Sequence, residues 1–254
     1  QAFDTSMHRI VAVKVPRAIG EEEIRRLYLE AQGAGRLSHP NIASVHEVAE
    51  VDGRHYIAMQ YIPGTTVEER IRKTRTRDAK EIARWVRDAA RAVHYANQNG
   101  VIHRDLKPAN LMIDDEQRVY VMDFGLAKVQ TDGGGATVSG MVLGTPAYMP
   151  PEQASAWSHL IDTKSDTYSL GATLYALLTG RRPYLGDNML DVLLLVVTDE
   201  PPTPRAIDPK IPAELEAIVR KAMSKQREYR YATPHDLADD LDRFVKGEPI
   251  VARR

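Results

Sequence analysis

Val101-Ile-His-Arg-Asp-Leu-Lys-Pro-Ala-Asn-Leu-Met112 decides how the rest of this 254-residue chain is read. A short apolar run gives way to a polar loop and then to a second apolar run. That pattern predicts two buried strands with the charged residues held between them. Asp105, Lys107 and Asn110 then cluster on one short, anchored loop. The three side chains offer a carboxylate base, a cation for phosphate and an amide oxygen for a metal. Downstream, Val119-Tyr-Val-Met-Asp-Phe-Gly125 predicts another strand, which delivers Asp123 and breaks at Gly125.

Composition narrows what such a loop can serve. Hydrophobic residues make up 43% and charged residues 27%, ordinary values for a globular chain, so disordered and fibrous classes are excluded. Lys and Arg total 34 against 35 Asp and Glu, a balance that recommends neither nucleic acid nor an anionic membrane as partner. There is no cysteine, which removes disulfides, thiolate catalysis and Cys-ligated zinc. No run reaches the roughly 18 apolar residues that a membrane-spanning helix needs. Met189 to Val197 is the longest candidate, and Asp191 interrupts it. The chain starts at Gln1 and reads as a piece excised from something longer.

Upstream of the loop, His8 to Val15 is a β-branched run stopped by Pro16, with Lys14 pointing opposite to Val13 and Val15. Glu21 to Leu37 has helical spacing, and Glu30 flanks its apolar stripe, where an unpaired carboxylate is costly. Ile42 to Val51 and Arg54 to Tyr61 read as two strands around the hairpin signal Asp52-Gly53. Asp78 to Asn99 is an amphipathic helix ended by Gly100. Beyond the loop, Thr163 to Thr179 is apolar almost all round, and Asp166 near its start is the exception. Ala213 to Ser224 and Pro234 to Val245 are two more helices, the second introduced by the N-cap Thr233 and by Asp236.

Asp105, Lys107, Asn110 and Asp123, in this order and context, resemble the catalytic loop and the Asp-Phe-Gly of the eukaryotic-type protein kinases. The resemblance runs over essentially the whole chain. It implies an α+β, bilobal fold: a truncated β-rich small lobe over residues 1–62 and a larger, mainly helical lobe over 63–254, together one catalytic domain. Ala12-Val-Lys14 matches the strand whose lysine holds the ATP phosphates, and Glu30 would pair with Lys14. Met59-Gln-Tyr-Ile-Pro-Gly64 matches the hinge between lobes, so backbone groups of Gln60 and Ile62 would bind adenine, with Ala12 above it and Met112 below. Most relatives carry Glu where Gln60 stands. Asp105 would accept or orient the substrate hydroxyl, Lys107 would contact the transferring phosphoryl group, and Asn110 and Asp123 would bind Mg²⁺.

Lys107-Pro-Ala-Asn110 and Gly144-Thr-Pro-Ala-Tyr-Met-Pro-Pro-Glu152 are similar to the serine/threonine form, and above all to bacterial members. In that form Thr145 bonds the loop aspartate and lysine, Glu152 pairs with a late arginine, here Arg230, and Asp166 holds the loop backbone. Thr131 to Ser139 is polar and glycine-rich, and phosphate on Thr137 or Ser139 would be clamped by Arg104. The partners implied are ATP, Mg²⁺ and protein substrates, with self-association for autophosphorylation. The setting implied is cytoplasmic, in a parent that is membrane-anchored in many bacterial members. Relatives begin with a glycine-rich strand–turn–strand over the phosphates. Ala2-Phe-Asp4 resembles the segment after its second strand, so the lid and at least one strand are expected to be missing here. Two readings compete. One is a pseudokinase or scaffold that keeps the fold without turnover. The other is a small-molecule kinase of the aminoglycoside-phosphotransferase type, against which the segment Gly144 to Glu152 counts.

Overall fold

The computed structural model describes residues 1–16, 20–73, 78–124 and 146–252, apart from the side chains of residues 21–23, 26 and 30. A four-stranded antiparallel sheet opens the chain, in the order β1-β2-β4-β3. Its strands are β1 (Ala2–Asp4), β2 (Arg9–Lys14), β3 (Val45–Val51) and β4 (Arg54–Gln60), and helix α1 (Glu21–Gly35) packs against it. Asp52 and Gly53 both take positive φ, 51° and 72°, which is why Asp-Gly closes the β3–β4 hairpin. Ala2–Asp4 departs from expectation. These residues are a strand in register with Arg9–Val11 rather than a link after one. Ladder bonds to β2 and the Asp4 carboxylate, which accepts from Ser6 and Met7 amides in the turn, hold it there.

Asn41 stitches this sheet to strand β7 of a second one. Its backbone O accepts from Val121 N (2.8 Å), its Nδ2 donates to Val119 O (2.8 Å), and Ala43 N donates to Val121 O (3.0 Å). The second sheet is β5 (Gly64–Thr66), β6 (Leu111–Asp114) and β7 (Val119–Val121), antiparallel and in that order. Around it lie α2 (Val67–Lys73), α3 (Ala79–Gln98), α4 (Pro151–Ala154), α5 (Thr163–Thr179), α6 (Met189–Thr198), α7 (Pro204–Ile207), α8 (Ala213–Ala222) and α9 (Pro234–Lys246). The structure is thus mixed, with a small antiparallel lobe and a larger helical one.

Helix α5 is the axis of the larger lobe. Every residue from Ser165 to Thr179 is buried, as its all-round apolar sequence requires. Asp162 caps it with a reciprocal Ser165 bond, and Gly180 ends it in the left-handed region at φ 71°. Helices α3, α8 and α9 pack on it or on each other. Thr233 and Asp236 form the reciprocal cap of α9 that their spacing predicts.

One expected strand is absent. Val101–Leu106 runs without strand pairing into the one-turn 3-10 helix Pro108–Asn110. Its amides are taken by a carboxylate instead of a neighbouring strand, for reasons that belong to the site.

Candidate active site

The catalytic-loop stretch is held from below by Asp166, 1% exposed on the first turn of α5. Its Oδ2 accepts from His103 N (2.9 Å) and Asn97 Nδ2 (2.9 Å), and its Oδ1 accepts from Arg104 N (3.0 Å). A buried carboxylate is stable only when such donors surround it, so loop and helix fix each other. Arg104 pays for this grip with φ of 65°, a region that residues with a Cβ rarely enter and one that gathers at functional sites.

His103 was not singled out by the sequence reading, yet it ties the loop to β7. It is fully buried, and its ring lies 4.7 Å from that of Phe124. Nδ1 accepts from Asp105 N (3.3 Å), so the hydrogen-bond network assigns the proton to Nε2, which donates to Met122 O (2.9 Å). The available signal was position: a histidine two residues before Asp105, flanked by Ile102 and Leu106, has to turn inward.

Above this floor the predicted residues converge. Lys107 Nζ lies 2.8 Å from Asp105 Oδ2, and Asn110 Nδ2 donates to the same oxygen (3.0 Å) and to Asp105 O (2.8 Å). Among the described residues, no donor reaches Asp105 Oδ1. Asp105 is therefore held by one oxygen and presents the other. Because Asn110 spends its NH₂ on Asp105, its amide carbonyl is left facing outward as a hard oxygen. Met122 N donates to Asn110 O (2.9 Å), which sets Asp123 one residue beyond the partner of Asn110. Asp123 itself has φ 56°, and its Oδ2 accepts from Lys14 Nζ at 2.8 Å, an ion pair between the two lobes.

Strand β2 turns Lys14 toward that pairing while Val13 and Val15 are the exposed residues of the run. Glu30 falls on α1, but its side chain lies outside the described residues, as do Gly125, Thr137, Ser139 and Thr145 in full. The expected Lys14–Glu30 pair and the expected Thr145 contact lie outside them for the same reason. Arg104 has an exposed side chain, with its backbone bound as above.

An apolar bed adjoins these groups. Ile62, Ala43 and Tyr120 form a buried cluster with Met112 and Met122 packed on it. Met122 also joins the cluster of Leu27, Ala31, Ile57 and Met59 on which Ala12 packs. Ala12 and Met112 thus approach one patch from opposite lobes. At the hinge, Gln60 N is already committed to Ser44 O (2.8 Å), leaving its carbonyl as the group to offer. The side-chain Oε1 accepts from Ser44 N (3.3 Å), so glutamine here has a bond of its own. No bond among the described residues occupies Ile62 N.

Farther out, Glu152 on α4 and Arg230 are both buried, at 2% and 4%. Arg230 Nη1 and Nη2 meet Oε1 and Oε2 at 2.8 and 2.9 Å, and Ser165 Oγ donates to Oε1 (2.7 Å). Burial alone would raise the Glu152 carboxyl, but the hydrogen bonds and charge of Arg230, with Ser165, hold it below the usual range.

Two lobes, an ion pair between them and a loop aspartate held on one side define the bilobal kinase architecture. The protein kinase domain family matches residues 1–240, and the chain belongs to that family. Among its relatives, the serine/threonine-protein kinase PknB of Mycobacterium tuberculosis is 40% identical over 98% of this chain and 41% of its own length. Serine/threonine-protein kinase PrkC of Bacillus subtilis is 37% identical over 100% of this chain and 39% of its own. A probable serine/threonine-protein kinase of Streptomyces coelicolor is 37% identical over 99% and 38%. The chain spans about two fifths of the length of the curated relatives it matches. Among the described residues, no helix is long and apolar enough to cross a membrane.

Proposed function

We propose that this chain is a protein serine/threonine kinase domain that transfers the γ-phosphoryl group of ATP to serine and threonine hydroxyls of proteins. The observation that carries the reading is the asymmetric hold on Asp105. Lys107 and Asn110 take Oδ2, and Oδ1 is left to receive or orient a hydroxyl. Phosphoryl transfer depends mainly on position and on charge stabilisation, and this arrangement supplies both without a covalent intermediate. Lys107 stands where it can pass from Asp105 to the transferring group. Lys14 would leave Asp123 for phosphate oxygens when nucleotide enters.

The donor set fits magnesium. The Asn110 carbonyl and the Asp123 carboxylate are hard oxygens, brought together by the Met122–Asn110 backbone bond. Mg²⁺, when bound, neutralises charge on the phosphates. The patch between Ala12 and Met112, with the Gln60 carbonyl and the Ile62 amide at its edge, suits adenine. We place the lobe boundary at 62/63, since Gln60 is the last residue of one sheet and Gly64 the first of the other. The names of the relatives and the Lys107-Pro-Ala-Asn110 loop favour serine and threonine as acceptors. They also favour a cytoplasmic setting, a membrane-anchored parent, and autophosphorylation between copies.

Incubation with radiolabelled ATP, Mg²⁺ and casein is expected to label casein on serine and threonine. Mass spectrometry of the same sample is expected to find phosphate on Thr137 or Ser139, placed for clamping by Arg104. Label on tyrosine alone would refute the acceptor assignment, and no label would favour the scaffold reading. An active sample with unmodified Thr137 and Ser139 would refute the regulatory one.

A further inference from the structure

Helix α6 is lightly embedded. Val196 is its buried residue, whereas Leu190 and Leu194 are 73% and 62% exposed. It rests on the turn Pro146–Tyr148 and on α4, the first described elements after residue 124. Its last turn carries no basic residue, so its own sequence puts no cation on its terminal carbonyls. The cation comes from another element. Lys225, just beyond α8, donates from Nζ to Val196 O and to Tyr184 Oη (2.7 Å), with the ammonium 4.6 Å from the Tyr184 ring centre.

From Lys225 two routes lead to the buried Glu152–Arg230 pair. Through the main chain, Arg230 Nη2 donates to Lys225 O (3.2 Å) while also holding Glu152 Oε2. Through side chains, Tyr184 Oη is 3.3 Å from Tyr168 Oη, and the Arg230 guanidinium sits 5.0 Å over the Tyr168 ring. One residue therefore joins the end of α6 to the anchor of α4. Neither route passes through Lys14, Asp105, Asn110 or Asp123.

We propose that Lys225 is a positioning residue that locks α6 to the Glu152–Arg230 anchor and so fixes a docking face for the protein substrate, leaving nucleotide binding untouched. The inference rests on the kinase reading for the word substrate. The face is apolar where it is exposed: Leu185, Leu190 and Leu194 all point outward, next to the segment that leads back toward the site. A folded substrate is wider than the catalytic loop and must rest on surface beyond it. Burial pushes the Lys225 ammonium down to about 8, Glu200 and Asp199 act to raise it, and Arg230 adds to the lowering. Tyr184 and Tyr168, the other titratable groups facing it, are both pushed up by burial and stay neutral across that range.

Lys225→Met keeps the stem and removes the cation, whereas Lys225→Arg keeps a cation that does not titrate. In Lys225→Met, amide hydrogen exchange is expected to accelerate by about tenfold across residues 189–198 and 146–154 and to stay unchanged across α3. In casein labelling, KM for casein is expected to rise by about tenfold and KM for ATP to stay within about twofold. Between pH 7 and pH 9 the wild-type KM for casein climbs as the ammonium loses its proton, and that of Lys225→Arg does not. Unchanged exchange in both segments, or equal rises in both KM values, overturns the proposal. Should Lys225→Met fail to fold, coincident pH profiles of wild type and Lys225→Arg overturn it. Exchange needs no turnover, so a wild-type chain that labels nothing sinks the kinase reading while the α6 coupling is still judged.

Discussion

Asp105→Asn is expected to lower kcat by roughly 10²–10⁴-fold and to leave ATP affinity and thermal stability near wild type. Asparagine matches aspartate in size, and its Oδ1 can still accept from Lys107, so the loop keeps its shape. What it loses is the second carboxylate oxygen, the one that no described residue contacts and that we assign to the substrate hydroxyl. A binding role for Asp105 would instead raise KM at constant kcat. Labelling of casein under saturating Mg-ATP separates the two outcomes. Activity within about tenfold of wild type would remove Asp105 from the reaction, because positioning alone accounts for no more than that in a group with general-base reach.

Glu152→Ala is expected to destabilise the chain by about 3–5 kcal/mol, since it leaves Arg230 buried without its carboxylate. Urea unfolding measures this. Replacing both partners, Glu152→Met with Arg230→Met, is expected to cost much less, because the desolvated charge goes with its partner. The pair also carries a pH signature. The folded carboxyl sits below the unfolded one, so its contribution is present above the ordinary carboxylate range and is lost as pH falls through the depressed value. Glu152→Gln is expected to flatten that acid limb. A variant as stable as wild type with an unchanged acid limb would show that the pair holds nothing.

Much of this was legible because the decisive residues are local. Asp105, Lys107 and Asn110 sit within six residues of each other, and one loop brings them together. Asp123 follows on a strand paired to the end of that loop, so the register of two short strands places it. Thr163–Thr179 was readable as a central helix because an all-round apolar stretch has no surface to offer. What stayed hidden depends on contacts distant in sequence. Val101–Leu106 looked like a strand by its apolar start, and only the Asp166 carboxylate, more than sixty residues on, shows why no ladder forms. His103 reads as one polar letter among several until its two ring nitrogens find Asp105 N and Met122 O. Asp240 is similar: its helix was predicted, but that it is buried and holds Tyr231 Oη, Val251 N and Ala252 N is a tertiary fact. Lys225 had no pattern at all to mark it.

The central claim is that Lys14, Asn110 and Asp123 from two lobes meet around one nucleotide and its metal, with Asp105 beside them. A crystal structure of the chain with Mg²⁺ and a non-hydrolysable ATP analogue tests it most directly. The account predicts metal on the Asn110 carbonyl and the Asp123 carboxylate, Lys14 on phosphate oxygens, and adenine between Ala12 and Met112 with a bond to Ile62 N. Nucleotide bound elsewhere, with the Lys14–Asp123 pair intact and Asn110 unliganded, would contradict it.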